Sequence, residues 1–175
     1  MSSLGQRLVK LSDHFYDRMR DPAAFTAARE AAGAQDFAAL RGAKYCLLVT
    51  YRRSGDAVPT PVWFGIDADD RVYVRSEADA GKVKRIRNNP RVKVAPASSR
   101  GKPSGPLAEG SARVLGPADS ARAERALQAN YGLGRKLYEG MSGPLGVTTV
   151  YLEVSPSAYR QQAGAASGGE EATPV

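Results

Sequence analysis

Between residues 45 and 76 the chain sets three short β-type segments around two polar turns, and this spacing limits the fold more than any other feature. Tyr45-Cys46-Leu47-Leu48-Val49-Thr50-Tyr51 has the composition of a buried strand. Arg53-Ser54-Gly55-Asp56 reads as a turn, Ala57 to Ile66 as a second strand, and Asp67 to Asp70 as a second turn. Arg71-Val72-Tyr73-Val74-Arg75-Ser76 alternates and reads as a third strand. Parallel neighbours need a crossover of a dozen or more residues, and these turns are far shorter. An antiparallel sheet or barrel is therefore expected.

The rest of the chain extends that pattern. A short helix is predicted over roughly Asp79 to Asn89, stopped by Pro90. Arg91 to Ala95 is a fourth strand, Ser98 to Gly105 a polar loop, and Leu107 to Leu115 a fifth strand. A helix follows from Pro117 to Tyr131, with Ala118, Ala121, Leu127 and Tyr131 assigned to its buried side. A second helical piece is placed at Gly134 to Met141 and the last strand at Val147 to Val154.

Ahead of the first strand, Leu4, Leu8, Leu11, Phe15 and Met19 recur on one helical face. Asp21-Pro22 has the form of an N-cap followed by proline at the first helical position. The alanine-rich stretch beyond it is expected to be helical through Leu40, with a break at Gly33 and a stop at Gly42. From Gln161 onward the chain is rich in Gly, Ala and Ser and reads as disordered. The expected organisation is an N-terminal helical extension (1–42), a mainly β domain with flanking helices (43–160), and a disordered tail (161–175).

Composition excludes several kinds of chemistry. At 175 residues the chain suits one domain. No apolar run is long enough for a membrane span, and no secretory signal is visible at the N-terminus. Cys46 is the single cysteine, which rules out an internal disulfide and suits the cytoplasm. With His14 the only histidine, a His/Cys zinc site or a Cys–His nucleophile pair is not available, and no metal site is expected. Neither Gly-x-Ser-x-Gly, His-Glu-x-x-His nor a phosphate-loop motif occurs. Glu109 and Glu153 fall on strands that need not be adjacent, so a carboxylate pair cannot be assembled. If the protein is an enzyme, a cofactor must carry the reaction.

Charge points to an anionic partner. The formal net charge is +7; residues 163–175 hold Glu170 and Glu171 and no cation, so without them the balance is 25 against 16, or +9. Nucleic acid, a membrane surface and a phosphorylated small molecule all fit such a body.

Two segments could supply that chemistry. In Ser76 to Pro90 a strand end runs into a helix whose Val83 and Ile86 share one face. Lys82 then flanks the packed face near the helix start, where unpaired N–H groups favour an anion. Ser76, Lys82 and those groups would make a phosphate site; the alternatives are a solvated basic face of Lys82, Lys84, Arg85 and Arg87, or a nucleic-acid helix. In Val58-Pro59-Thr60-Pro61-Val62-Trp63-Phe64, two prolines remove two ladder donors, which places the strand at an edge or an opening of the sheet. Backbone near Thr60 and Val62 can then face a ligand. Of Trp63 and Phe64, one belongs to the core and the other could wall a flat ring; the alternative is that both are packing residues on a two-faced strand.

The order of these motifs resembles the flavin/deazaflavin split-barrel superfamily, which includes the pyridoxamine 5′-phosphate oxidases and the coenzyme F420-dependent reductases. The resemblance rests on Pro59 to Phe64, Val72 to Ser76, and Gly81-Lys82-Val83-Lys84-Arg85-Ile86-Arg87-Asn88-Asn89-Pro90-Arg91-Val92, and it is nearest to the F420-dependent branch. It implies a six-stranded antiparallel split β-barrel, commonly a homodimer with the cofactor at the subunit interface. It further implies that Ser76 and Lys82 hold the cofactor phosphate and that Thr60, Pro61, Val62 and Trp63 line the ring system. Lys84 would assist with phosphate or with the glutamyl tail of F420.

Two departures separate the chain from pyridoxamine phosphate oxidation. Gly81 stands where the oxidase pattern has an arginine, and the C-terminus lacks a histidine-containing motif. The expectation is hydride transfer between reduced F420 and an electron-poor small molecule, with Tyr45, Tyr73 or solvent as proton donor. FMN is the alternative cofactor, and non-catalytic binding of F420, flavin or haem is the alternative role.

Overall fold

The computed structural model describes residues 20–132 and 148–157. The expected helices at 4–19 and 134–141, His14 and the tail from 161 lie outside these residues.

The described chain is a curled antiparallel sheet with three helices on its surfaces. The strands are β1 (Tyr45–Tyr51), β2 (Ala57–Val62), β3 (Gly65–Ile66), β4 (Val72–Glu77), β5 (Arg91–Ala97), β6 (Ala108–Val114) and β7 (Thr149–Pro156). Their order across the sheet is β2-β1-β5-β6-β7-β4-β3, with every pairing antiparallel. The helices are α1 (Pro22–Arg29), α2 (Gly81–Asn88) and α3 (Ser120–Tyr131).

Alternation along each strand divides the sheet into two faces. Cys46 and Leu48 of β1 join Val62, Val72, Val74, Val92, Val94, Leu152 and Val154 in the inner core, which Val83 and Ile86 of α2 complete. Leu47 and Val49 point the other way, beneath Ala24, Ala27 and Ala28 of α1. On the far side of the sheet, Tyr73 lies beneath Ala123 and Ala126 of α3. The single cysteine is wholly buried, and burial pushes its thiol up to about 12 against the opposing hydrogen bond from Ala95.

Of the edge or opening expected for the proline-bearing strand, the edge is observed, since among the described residues β2 ends the sheet and pairs only with β1. The single strand expected over 57–66 is instead two, giving seven strands rather than six. Pairing stops at Trp63-Phe64, where helix α3 takes over the backbone. The Phe64 N–H donates to the Tyr131 hydroxyl at 3.1 Å, and the Phe64 carbonyl accepts from Asn130 Nδ2 at 2.9 Å. Beyond that break, β3 pairs with β4.

Helix α1 begins as expected, with Asp21 Oδ1 accepting from the Ala23 N–H at 2.9 Å and Pro22 in the first turn. It ends at Arg29, not near Leu40. Gly33 and Ala34 donate to the Leu107 carbonyl, Ala34 forms a bridge to Ala108, and only Ala38–Leu40 recovers a 3₁₀ turn. The nearly buried Lys93 reaches the Ala28 and Glu30 carbonyls, a cation at a helix C-terminus.

Helix α3 meets expectation at Leu127, which is buried, and departs from it at its first turns. A 3₁₀ turn over Pro117–Asp119 delays its start, so Ala123, Ala126 and Leu127 face the core while Ala118 and Ala121 are exposed.

Candidate functional site

Three elements that carry the predicted site residues converge on the inner core. Val62 of β2, Val74 of β4, and Val83 and Ile86 of α2 belong to one buried cluster. Thr60 pairs with Leu48, so its side chain shares the inner face with Leu48 and Val62. Its Oγ1 is buried and has no hydrogen-bond partner in the structure. A buried hydroxyl without a partner costs roughly 1–3 kcal/mol, so a ligand group that supplies one is favoured there.

Ser76 ends the inner face of β4 and is buried, opposite Val150 of β7. Its hydroxyl makes one long contact, 3.3 Å to the Glu77 carbonyl. The chain then turns through residues 78–80 into α2. The N-cap of that helix is Ala80, which has no side-chain group to satisfy the first N–H donors. Lys82 is the second residue of α2 and is half-buried. Ser76, Lys82 and an uncapped helix start thus lie within seven residues, as the sequence placed them.

Other predicted residues lie apart from that cluster. Lys84 is exposed and pairs with Asp79 at 3.8 Å. The Pro61 side chain faces outward with Leu47 toward α1, close to Gly101 and Ala24. Trp63 is half-buried, and its ring stacks on Tyr131 at 5.3 Å between centroids and 25° between planes. Phe64 is the core member of that pair.

Neither tyrosine donor nor carboxylate pair forms beside the cluster. Tyr73 lies on the opposite face, its hydroxyl 2.9 Å from Asp67 Oδ2 and 3.2 Å from Glu153 Oε2. Burial first, and then those two carboxylates, push its phenol well above the usual value. Strands β6 and β7 are neighbours, but Glu153 stands opposite Arg113 while Glu109 stands opposite Lys93. Tyr45 begins β1 and is half-buried.

Two residues near the site were not among the site residues expected from the sequence. Arg85, on the partly buried side of α2, donates from Nε to Thr50 Oγ1 at 2.7 Å. Tyr131 both stacks on Trp63 and accepts the Phe64 N–H. The spacing of Gly81 and Arg85, four apart on a helix, was the available signal for the first. Nothing local announces the second.

The sequence profile of the family described as pyridoxamine 5′-phosphate oxidase matches residues 34–162. The chain belongs to the pyridoxamine 5′-phosphate oxidase family. The observed sheet is the split barrel of that family, with seven strands in place of six.

Two solved structures that reach a TM-score of 0.50 agree on the fold. A conserved hypothetical protein from Mycobacterium tuberculosis aligns with a TM-score of 0.50 and 14% identity, over 73% of this chain and 86% of that one. A protein of unknown function from Agrobacterium tumefaciens gives 0.50 and 19%, over 65% of this chain and 48% of that one. An F420 reductase gives 0.45 and 20%, over 73% of this chain and 96% of that one. No curated protein matches the sequence. Identities this low show a shared fold and nothing of the chemistry.

Among the described residues, no helix is long and apolar enough to cross a membrane.

Proposed function

We propose that this protein is a cytoplasmic, homodimeric oxidoreductase that transfers a hydride between reduced coenzyme F420 and an electron-poor small molecule such as a conjugated carbonyl or imine. The observation that carries this reading is the unpartnered Thr60 hydroxyl on a proline-interrupted edge strand, facing the same core as Ser76 and α2. A ring system with hydrogen-bonding edges and an anionic tail fits that set of groups.

When bound, the deazaflavin supplies a carbon that gives or takes a hydride. The protein's own work is placement and exclusion of water. The Ser76 hydroxyl, the Lys82 ammonium and the first N–H groups of α2 hold the phosphate. Thr60 to Trp63 line the ring, with Thr60 contributing its hydroxyl and Pro61 and Val62 contributing backbone. Tyr131 stacked behind Trp63 keeps that indole in place. Lys84, exposed and only loosely paired, is left for the outer glutamyl portion. Tyr73 is not the proton donor, because its hydroxyl is engaged with two carboxylates on the other face. Tyr45 alternates with Cys46 and so faces away from the inner core as well, which leaves solvent as the donor.

Titration of the purified protein with F420 and FMN in parallel tests the proposal. Tighter binding of F420, followed by oxidation of reduced F420 in the presence of an enone, is the expected result. Binding of FMN with no binding of F420 overturns the cofactor assignment. Binding of F420 without turnover of any acceptor points to a carrier.

A further inference from the structure

We infer that Arg85 is a second cationic ligand of the cofactor's phosphate, held over the start of α2 by Thr50 and admitted there by Gly81. The inference rests on the phosphate site proposed above and adds residues that site did not include.

Three observations carry it. Thr50 is fully buried on the inner face of β1, and its Oγ1 accepts from Arg85 Nε at 2.7 Å. A guanidinium anchored through Nε has its plane and direction set, and its terminal nitrogens then point away from the anchor. Those nitrogens point at residue 81. A Cβ added to Gly81 would lie 2.8 Å from Arg85 Nη1 and 3.9 Å from Nη2. The guanidinium therefore occupies the space a side chain at residue 81 would take, one turn back along its own helix and beside Lys82.

The chemistry follows from this placement. A planar fork of donors suits two oxygens of one phosphate, while the Lys82 ammonium acts as a point charge. The helix start adds N–H groups on the same side. Thr50 is a positioning residue that does not itself reach the anion. Gly81 leaves that space open: its φ lies outside the left-handed region, and an added Cβ would meet only the movable end of Arg85, so the missing Cβ rather than backbone freedom is what lets the guanidinium sit there.

The test uses the full chain and four variants: Arg85→Ala, Arg85→Lys, Thr50→Val and Gly81→Ala. Dissociation constants for F420 and FMN are measured by fluorescence titration. Inorganic phosphate is titrated separately by its effect on the melting temperature. Far-ultraviolet circular dichroism confirms that each variant is folded. Arg85→Ala is expected to weaken cofactor binding roughly tenfold or more and to abolish the phosphate-dependent rise in Tm.

Arg85→Lys should recover only part of the affinity. Thr50→Val should weaken binding with the guanidinium still present, and Gly81→Ala should do the same by displacing it. Wild-type binding of F420 or FMN that is unchanged in Arg85→Ala overturns this inference while leaving the proposed function intact. Wild-type protein that binds neither F420 nor FMN overturns both. Loss in Arg85→Ala with no loss in Thr50→Val or Gly81→Ala overturns the positioning roles of those two residues.

Discussion

Gly65 of β3 lies so close to Ala126 of α3 that a Cβ at residue 65 would sit 2.2 Å from the Ala126 carbonyl carbon and 2.3 Å from the Leu127 nitrogen. Backbone cannot rotate aside as a side chain can. Gly65→Ala should therefore destabilise the fold by about 3 kcal/mol, the upper part of the overpacking range. Urea denaturation followed by circular dichroism measures this. An unchanged midpoint would show that α3 does not dock on β3.

The ion pairs over the outer face predict a pH dependence. Burial works to raise the Asp67 carboxyl, but the Arg71 N–H, the Arg122 guanidinium and the Tyr73 hydroxyl outweigh it and hold it below its ordinary value. A depressed carboxyl contributes stability that is present above its unfolded pKa, near 3.9, and is lost as pH falls through the folded value. Arg122→Met should lower stability at pH 7, and the gap from wild type should narrow as pH falls below about 4. Urea midpoints at pH 7 and pH 3 decide it. A gap of constant size would mean that Arg122 contributes by packing alone.

The two candidate lysines should behave differently. Lys82→Ala is expected to weaken cofactor binding by about 1.5–3 kcal/mol, as for a hydrogen bond to a charged group. Lys84 is exposed and shares its charge with Asp79, so Lys84→Ala should cost less than about 1 kcal/mol. Titration of both variants with F420 provides the comparison. Equal losses would remove the distinction between an inner and an outer cation.

Cys46 should be silent in the native protein. With its thiol buried and pushed up to about 12, almost no thiolate exists at pH 8. Iodoacetamide should label it only in denaturant, as followed by mass spectrometry. Rapid labelling without denaturant would contradict its place between β2 and β5 on the inner face.

What could be read from the chain was what its residues dictate locally. Pro59 and Pro61 lack N–H groups, and that alone moved β2 to the sheet edge. Asp21-Pro22 marked the start of α1, and the spacing of Val83 and Ile86 set the buried face of α2. The places of Ser76 and Lys82 in the fold were legible for the same reason, being near a strand end and at the helix start that follows it, while their part in binding is the proposal made above.

What stayed hidden depends on partners far along the chain. Trp63-Phe64 looks like continuing strand, yet Tyr131 and Asn130, 67 and 66 residues from Phe64, capture its backbone. The alanines after Arg29 favour helix, but the Ala34–Ala108 bridge outweighs a propensity of tenths of a kcal/mol per residue. Arg85 looked like one of four solvated cations until Thr50, on another strand, was seen to hold it.

The position of β7 has a consequence for how the molecule is made. It is the last strand in the described chain, yet it sits between β6 and β4, pairing Val114 with Leu152 on one side and Val74 with Leu152 on the other. Until residue 149 leaves the ribosome, β2-β1-β5-β6 and the β3–β4 hairpin have no strand to join them. Closure of the sheet must therefore wait until β7 has been made, and contacts this remote in sequence make refolding slow. A nascent chain stalled before that strand would expose two unpaired inner edges to chaperones or to aggregation.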